Sequence, residues 1–215
     1  ILGLLLLYKL YLNYRPELNL LLHFDHHNEE VLVNMVRSHG IEDLAFLFLL
    51  NAICVAIPGL SNGIFCVLNG ILYGPAWGFI VNWISDILGQ IILMELLQKL
   101  YDMKKMSNSK VYKLLTGLKS PMLGLIIGYM IPFIPSATVS YVNIMINKEQ
   151  RKKQLIPIII GVIPFAYLYA YGGDSILHLD GTRLIKVVIS FVVIALIAVA
   201  ILLSLRAIKK RTKKA

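Results

Sequence analysis

Charged residues fall in clusters along this chain, and long uncharged, mostly apolar runs separate them. The runs are Leu44 to Ser85, Ser120 to Asn147, Gln154 to Gly173 and Val187 to Leu205. A membrane-spanning helix needs about 20 apolar residues to cross a hydrocarbon layer of about 30 Å. The last two runs fit that length and read as simple spans, the final one over residues 184–205. Residues 1–12 are also apolar but short and begin without Met, which reads as a truncated first span. No basic segment or small-residue cleavage site marks a signal peptide there.

Basic clusters assign sides. Lys104 to Lys119, Lys148 to Lys153, and the tail at 206–215 are rich in Lys and Arg, which the positive-inside rule places in the cytoplasm. The linker at 13–40 and the connection Gly172 to Thr182, which carries Asp174 and Asp180, are poor in them and read as external. Asn28, Glu29 and Glu30 cap a surface helix in that linker, with Gly40 as its stop.

Parity then constrains Ser120 to Asn147. Both of its flanks are basic, so it crosses an even number of times, yet its 28 residues are too few for two crossings. Pro132 and Pro135 at its centre break a straight helix. The remaining solution is a re-entrant hairpin dipping in from the cytoplasm. Such irregular backbone is tolerated only where protein or a wet cavity covers it. Leu44 to Gly74, broken at Ile57-Pro58-Gly59, is by the same logic a hairpin from the outside, and Pro75 to Tyr101 a full span. Each hairpin has Ile-Pro followed by Asn eleven residues after the proline, Pro58 with Asn69 and Pro132 with Asn143. The expected fold is an all-α integral membrane protein. Two opposed re-entrant helical hairpins, each followed by a transmembrane helix, form an inverted repeat over 41–176, with flanking spans.

Composition narrows the classes. Of 215 residues 58% are hydrophobic and 15% charged, too apolar for a soluble enzyme and far too apolar for a disordered chain. The net charge of +9 resides between apolar blocks and in the tail, so no nucleic-acid partner is expected. Cys54 and Cys66 supply neither a disulfide framework nor a metal-ligand spacing, and His23, His26 and His27 read as solvated surface histidines. No metal and no cofactor are expected.

The stretch Ile57-Pro58-Gly59, with Asn69-Gly70-Ile71-Leu72-Tyr73-Gly74-Pro75-Ala76-Trp77-Gly78 after it, resembles the glycine-rich signature of the DedA/VTT-domain (SNARE-associated Golgi protein) superfamily. Ile131-Pro132-Phe133-Ile134-Pro135 and Tyr141 resemble its second signature. The similarity runs from about Asn28 to Ile176 and is closest to a bacterial branch. It implies paired re-entrant hairpins and the movement or scrambling of lipids, including polyprenyl-phosphate carriers. Where the family has an arginine before the second hairpin's first proline, this chain has Tyr129; a second family arginine corresponds to Gln98, beside Lys99. The acid that follows the family's first Pro-Gly is absent from Leu60-Ser61-Asn62, so no phosphate-binding arginine pair carries over.

Asp86 is the single charge between Asp43 and Glu95. It lies about 16 Å along a helix from Pro75, near mid-membrane, where a carboxylate marks a pathway or proton site. Asn82, Asp86 and Gln90 share its face at a spacing of four and form the expected transport or proton site. Pro58, Gly59, Asn62, Asn69, Pro132, Pro135, Ser136, Thr138 and Asn143 are assigned to the hairpin tips, where broken helices expose backbone to a headgroup or ion. Glu95 and Lys99 form an i,i+4 pair, and together with Tyr129 are secondary candidates. Met103 to Leu118 suits an interfacial helix on anionic lipid, and Tyr167, Tyr169 and Tyr171 an outer aromatic belt.

The resulting expectation is no enzyme, since an H-E-x-x-H zinc helix is absent from the sequence. It is instead a multi-pass protein of the cell membrane, C-terminus cytoplasmic, that transports or scrambles a lipid, with Asp86 protonation as a coupling step. Its partners would be membrane lipids, anionic ones or polyprenyl-phosphate included, and a homo-oligomer stays open. An ion-coupled antiporter of a small solute and a non-transporting assembly factor are the alternatives.

Overall fold

The computed structural model describes residues 41–100, 120–131, 134–147, 150–178 and 180–212, with the isolated positions Tyr8, Leu12, Asn34, Tyr112 and Leu115. Apart from those positions, the segments expected as a first span (1–12), an external linker (13–40) and an interfacial helix (Met103 to Leu118) lie outside the described residues, as does Pro132. All regular structure among the described residues is helical: α1 (Ile41–Ala56), α2 (Gly63–Leu100), α3 (Pro121–Met130), α4 (Ser136–Asn147), α5 (Arg151–Gly161), α6 (Ile163–Leu177) and α7 (Gly181–Thr212).

α2 is two arms. Gly74 has φ 75° and ψ 178°, a conformation open almost only to glycine, and Pro75 removes the next amide donor. The chain reverses there. Asn69 donates to Asn82 Oδ1 at 2.8 Å, and Asn62, further back, donates to Asp86, further on, also at 2.8 Å. The arm Gly63–Tyr73 is about 16 Å long, against about 39 Å for Pro75–Leu100. Only the second exceeds the thickness of a bilayer core.

The first arm closes on α1 through the turn Ile57–Asn62, where Gly59 takes φ 94°. α3 and α4 meet through the shorter break that follows Met130. At 10 and 12 residues they are about 15 Å and 18 Å long, each well short of a crossing. The run from Gln154, expected as one simple span, lies within the continuous candidate span Arg151–Leu177: α5 passes into α6 through Val162, whose φ −83° and ψ −15° are right-handed helical, with Pro157 inside α5 and Pro164 at the start of α6. α6 continues to Leu177, so Asp174 is a buried helical residue and not part of an external loop.

Two apolar cores form, one around each hairpin. Leu47, Phe65, Leu72 and Leu177 join α1, α2 and α6. Leu93, Leu125, Val139, Tyr141 and Ile158 join the far end of α2 to α3, α4 and α5. Leu115, expected on a helix lying against lipid, is fully buried in this second core, so the segment packs on the hairpin at that point. α7 stands apart: its 21-residue apolar stretch Gly181–Ile201 is only 6% buried, and Ile185, Val188, Val192 and Leu196 face outward. Arg151–Leu177 and Gly181–Ile201 are each long and apolar enough to cross a membrane, as is Gly63–Lys99 through its arm after Gly74.

Glu95 does not pair with Lys99. Its Oε1 lies 2.7 Å from the Arg151 guanidinium at the start of α5. This brings the late part of α2 and the beginning of α5 to one end of the bundle. Both side chains are solvent-accessible (75% for Arg151, 36% for Glu95), so Arg151→Ala is expected to lower stability by no more than about 1 kcal/mol, read as a thermal midpoint in detergent.

Candidate functional site

The polar residues of α2 cluster between the two apolar cores, on the arm after Gly74. Asp86 is 8% exposed and draws two amide donors to one oxygen. Asn51 Nδ2, from the middle of α1, is 3.0 Å from Asp86 Oδ1, and Asn62 Nδ2, from the first turn, is 2.8 Å from the same atom. Asn51 also donates to Ser85 Oγ at 2.5 Å, while Ser85 donates to the Val81 carbonyl at 2.6 Å. The Cys66 thiol donates to Asn51 Oδ1 and receives Asn62 Nδ2, both at 3.3 Å. Asp86 Oδ2 accepts no hydrogen bond from any described residue.

One helical turn on, Gln90 faces the other hairpin. Ser140 Oγ of α4 donates to Gln90 Oε1 at 2.7 Å and contacts the Tyr129 hydroxyl of α3 at 2.8 Å. A single helix therefore presents an acid to the first hairpin and an amide to the second. Between them lies a cavity of about 360 Å³, and Asp86, Gln90, Asn62, Tyr129, Ser136 and Tyr169 are among the residues lining it. Pro58, Gly59 and Pro135 also reach its wall, so both turns border one space.

Three expected site residues are placed elsewhere. Asn82, although on the Asp86 stripe, is absent from the cavity wall. It accepts from Asn69 and donates to the Cys66 carbonyl at 2.9 Å and the Ala166 carbonyl at 3.3 Å, which fastens both arms of α2 to α6. Asn69 and Asn143 are not at the tips. Each is fully buried, and each ties its hairpin to the helix that follows. Asn69 does so through Asn82, and Asn143 through the Gln154 carbonyl at 2.8 Å. Asn82→Leu is expected to lower stability by about 1–3 kcal/mol in a detergent melt while leaving ligand response unchanged, since only helix contacts are lost.

The sequence pattern gives Asn51 no role and places Tyr169 in an aromatic belt, whereas the structure brings one to Asp86 and the other to the cavity. Asn51 is the one amide in an otherwise apolar stretch before Ile57, a signal for an interhelical hydrogen bond. For the three tyrosines of α6, residues two apart on a helix point to opposite sides. Tyr167 and Tyr171 stack with centroids 5.9 Å apart, whereas Tyr169 turns to the cavity and meets Phe191 of α7 edge-on at 5.4 Å. An expected belt of three is a pair, with the third ring in the site. Gln98 is exposed and Tyr129 lines the cavity.

No curated protein and no solved structure matches the chain significantly. The family model of the VTT domain matches residues 57–175, more than half of its length. That interval opens at the first hairpin turn, ends within α6, and contains Asp86, Gln90 and both turns bordering the cavity. With its membrane-length apolar helices, this multi-pass membrane protein belongs to the VTT-domain, or DedA, family, a membrane family linked to transport and lipid handling.

Proposed function

We propose that this chain transports or scrambles a membrane lipid, its headgroup entering the cavity bordered by the two hairpin turns. The observation that carries the reading is the Asp86 carboxylate: buried, held through one oxygen, and with the other free toward a 360 Å³ space. An ionisable group kept at that depth at a cost is by default part of a pathway. A space of this size, near the lower bound of about 300 Å³ for ligand sites, suits a headgroup with its acyl chains left in the bilayer.

In this reading α1 with the first arm of α2, and α3 with α4, are re-entrant hairpins inserted from opposite faces of the cell membrane. The arm Pro75–Leu100 and the α5–α6 unit are the helices that follow them in an inverted repeat. The short lengths of α3 and α4 and the Glu95–Arg151 contact support it, since a hairpin that fails to cross returns the chain to the end it left. The basic tail is then cytoplasmic, the α6–α7 connection external, and protonation of Asp86 the coupling step.

The test is the purified full chain reconstituted in liposomes with tail-labelled phospholipids and a membrane-impermeant quencher. Outer-leaflet quenching should proceed to near completion in protein-containing vesicles. Protection of the inner half, as in empty vesicles, would defeat the lipid-handling reading. Single cysteines at Ser120 and Gln150 should label from the same side, and labelling from opposite sides would defeat the re-entrant geometry.

A further inference from the structure

The charge inside the cavity is one-sided. Among the described residues Asp86 is the only carboxyl group in its lining, and no Lys, Arg or His reaches it. An anion would there meet a carboxylate and no counter-charge. A buried charge without a partner is strongly unfavourable in a low-dielectric site, so charge complementarity selects against phosphate as the group that sits deepest. The remaining wall is largely aliphatic, with Val55, Leu60, Ile131 and Val162 among its residues, and carries three aromatic rings and two serine hydroxyls. Tyr129, Phe165 and Tyr169 line it along with Ser61 and Ser136. Phe165 and Tyr169 are held by Phe191 behind them, at 4.5 Å and 5.4 Å between ring centroids. The Tyr169 ring and hydroxyl lie 3.5 Å from the position a Cβ on Gly63 would occupy, so this ring is beside Asn62, the donor that holds Asp86.

We propose that the cavity is a binding site for an organic ammonium group, held by the free Asp86 Oδ2 and flanked by the rings of Tyr129, Phe165 and Tyr169. Asn51 and Asn62 fix the carboxylate through Oδ1 and leave Oδ2 to receive the cation, while the faces of aromatic rings attract ammonium through their quadrupoles. The ammonium has two sources, the headgroup of an amine-bearing phospholipid or a free amine. Only the first rests on the lipid-handling reading. That source favours an ethanolamine- or choline-headed phospholipid over a polyprenyl phosphate, whose head is purely anionic.

The experiment has two arms. In the first, the thermal midpoint of the full chain in detergent is measured with choline chloride, ethanolamine hydrochloride, sodium phosphate and sodium chloride at matched ionic strength. Both amines should raise the midpoint above the sodium chloride control, phosphate should not, and Asp86→Asn should abolish the amine response. An amine response that survives in Asp86→Asn, or stabilisation by phosphate and not by the amines, overturns the proposal. The wild-type comparison decides by itself if Asp86→Asn does not fold. In the second arm, tail-labelled phospholipids with choline, ethanolamine and glycerol headgroups are compared in liposomes. The two ammonium-bearing lipids should move at least about tenfold faster than the glycerol-headed one, the factor one charge-assisted contact supplies. Equal rates for all three overturn the ammonium site and leave lipid movement standing. Stabilisation by choline with no lipid movement keeps the site, makes a free amine its ligand, and removes the lipid reading.

Discussion

Asp86→Asn is expected to slow lipid movement by about tenfold to a hundredfold while the protein keeps its fold. The substitution preserves shape. An asparagine carbonyl oxygen in the place of Oδ1 still accepts from Asn51 and Asn62, whose amides stand at 3.0 and 2.8 Å. What disappears is the negative charge at Oδ2, where nothing in the described protein compensates for its loss. Asp86→Leu is the harsher comparison. It removes the acceptor as well, so the Asn51 and Asn62 amides each lose one hydrogen bond and keep only those to Ser85 and Cys66, at a cost of about 1–3 kcal/mol each. Activity and thermal midpoint measured on both variants separate the two effects: asparagine should cost activity alone, leucine both. Full activity in Asp86→Asn would mean that the acid is architectural and that the cavity works by its hydroxyls.

The second large effect is one of stability. Gly173→Ala is expected to destabilise the protein by about 3 kcal/mol, at the upper end for overpacking, whereas Gly172→Ala next to it is neutral or slightly stabilising. A Cβ on Gly173 would lie 2.1 Å from the Val67 carbonyl oxygen, and one on Gly70 across the same seam 2.2 Å from that of Ala170. Both obstacles are backbone, so no rotamer change relieves them and α6 must move off the first arm of α2. A Cβ on Gly172 meets only Val187 Cγ1 at 3.4 Å, an ordinary contact. Close approach through small residues is how membrane helices associate without a hydrophobic drive between them. Thermal midpoints of the two single variants in one detergent check the contrast, and equal midpoints would show that the seam is not tight.

Much of this molecule was legible in one dimension because its strongest rules are one-dimensional. Pro58 and the Gly74-Pro75 pair interrupt helices wherever they stand, since a missing amide donor and a restricted preceding residue act locally. Asp86 was conspicuous because an acid in an apolar run violates the composition around it. Sequence and structure part where partner choice is at stake. Glu95 had a lysine at i,i+4 and an arginine far along the chain, and the bundle brought the arginine to it. Asn82, Asp86 and Gln90 share a helix face, yet that face meets three neighbours in succession: α6, the first hairpin turn and the second hairpin.

The sequence by itself determined that the chain is helical and built for a membrane, where its helices break, and which acid is out of place. Those properties follow from hydrophobic content, proline and glycine geometry and the cost of burying charge, all of which act residue by residue. Only the tertiary structure decided that Asn69, Asn82 and Asn143 act as fastenings, that Tyr169 leaves the belt for the cavity, and that one Asp86 oxygen stays free. Those outcomes depend on which helices lie within hydrogen-bonding distance. A polar side chain in an apolar environment bonds to whatever partner packing brings near, and packing is a property of the whole bundle.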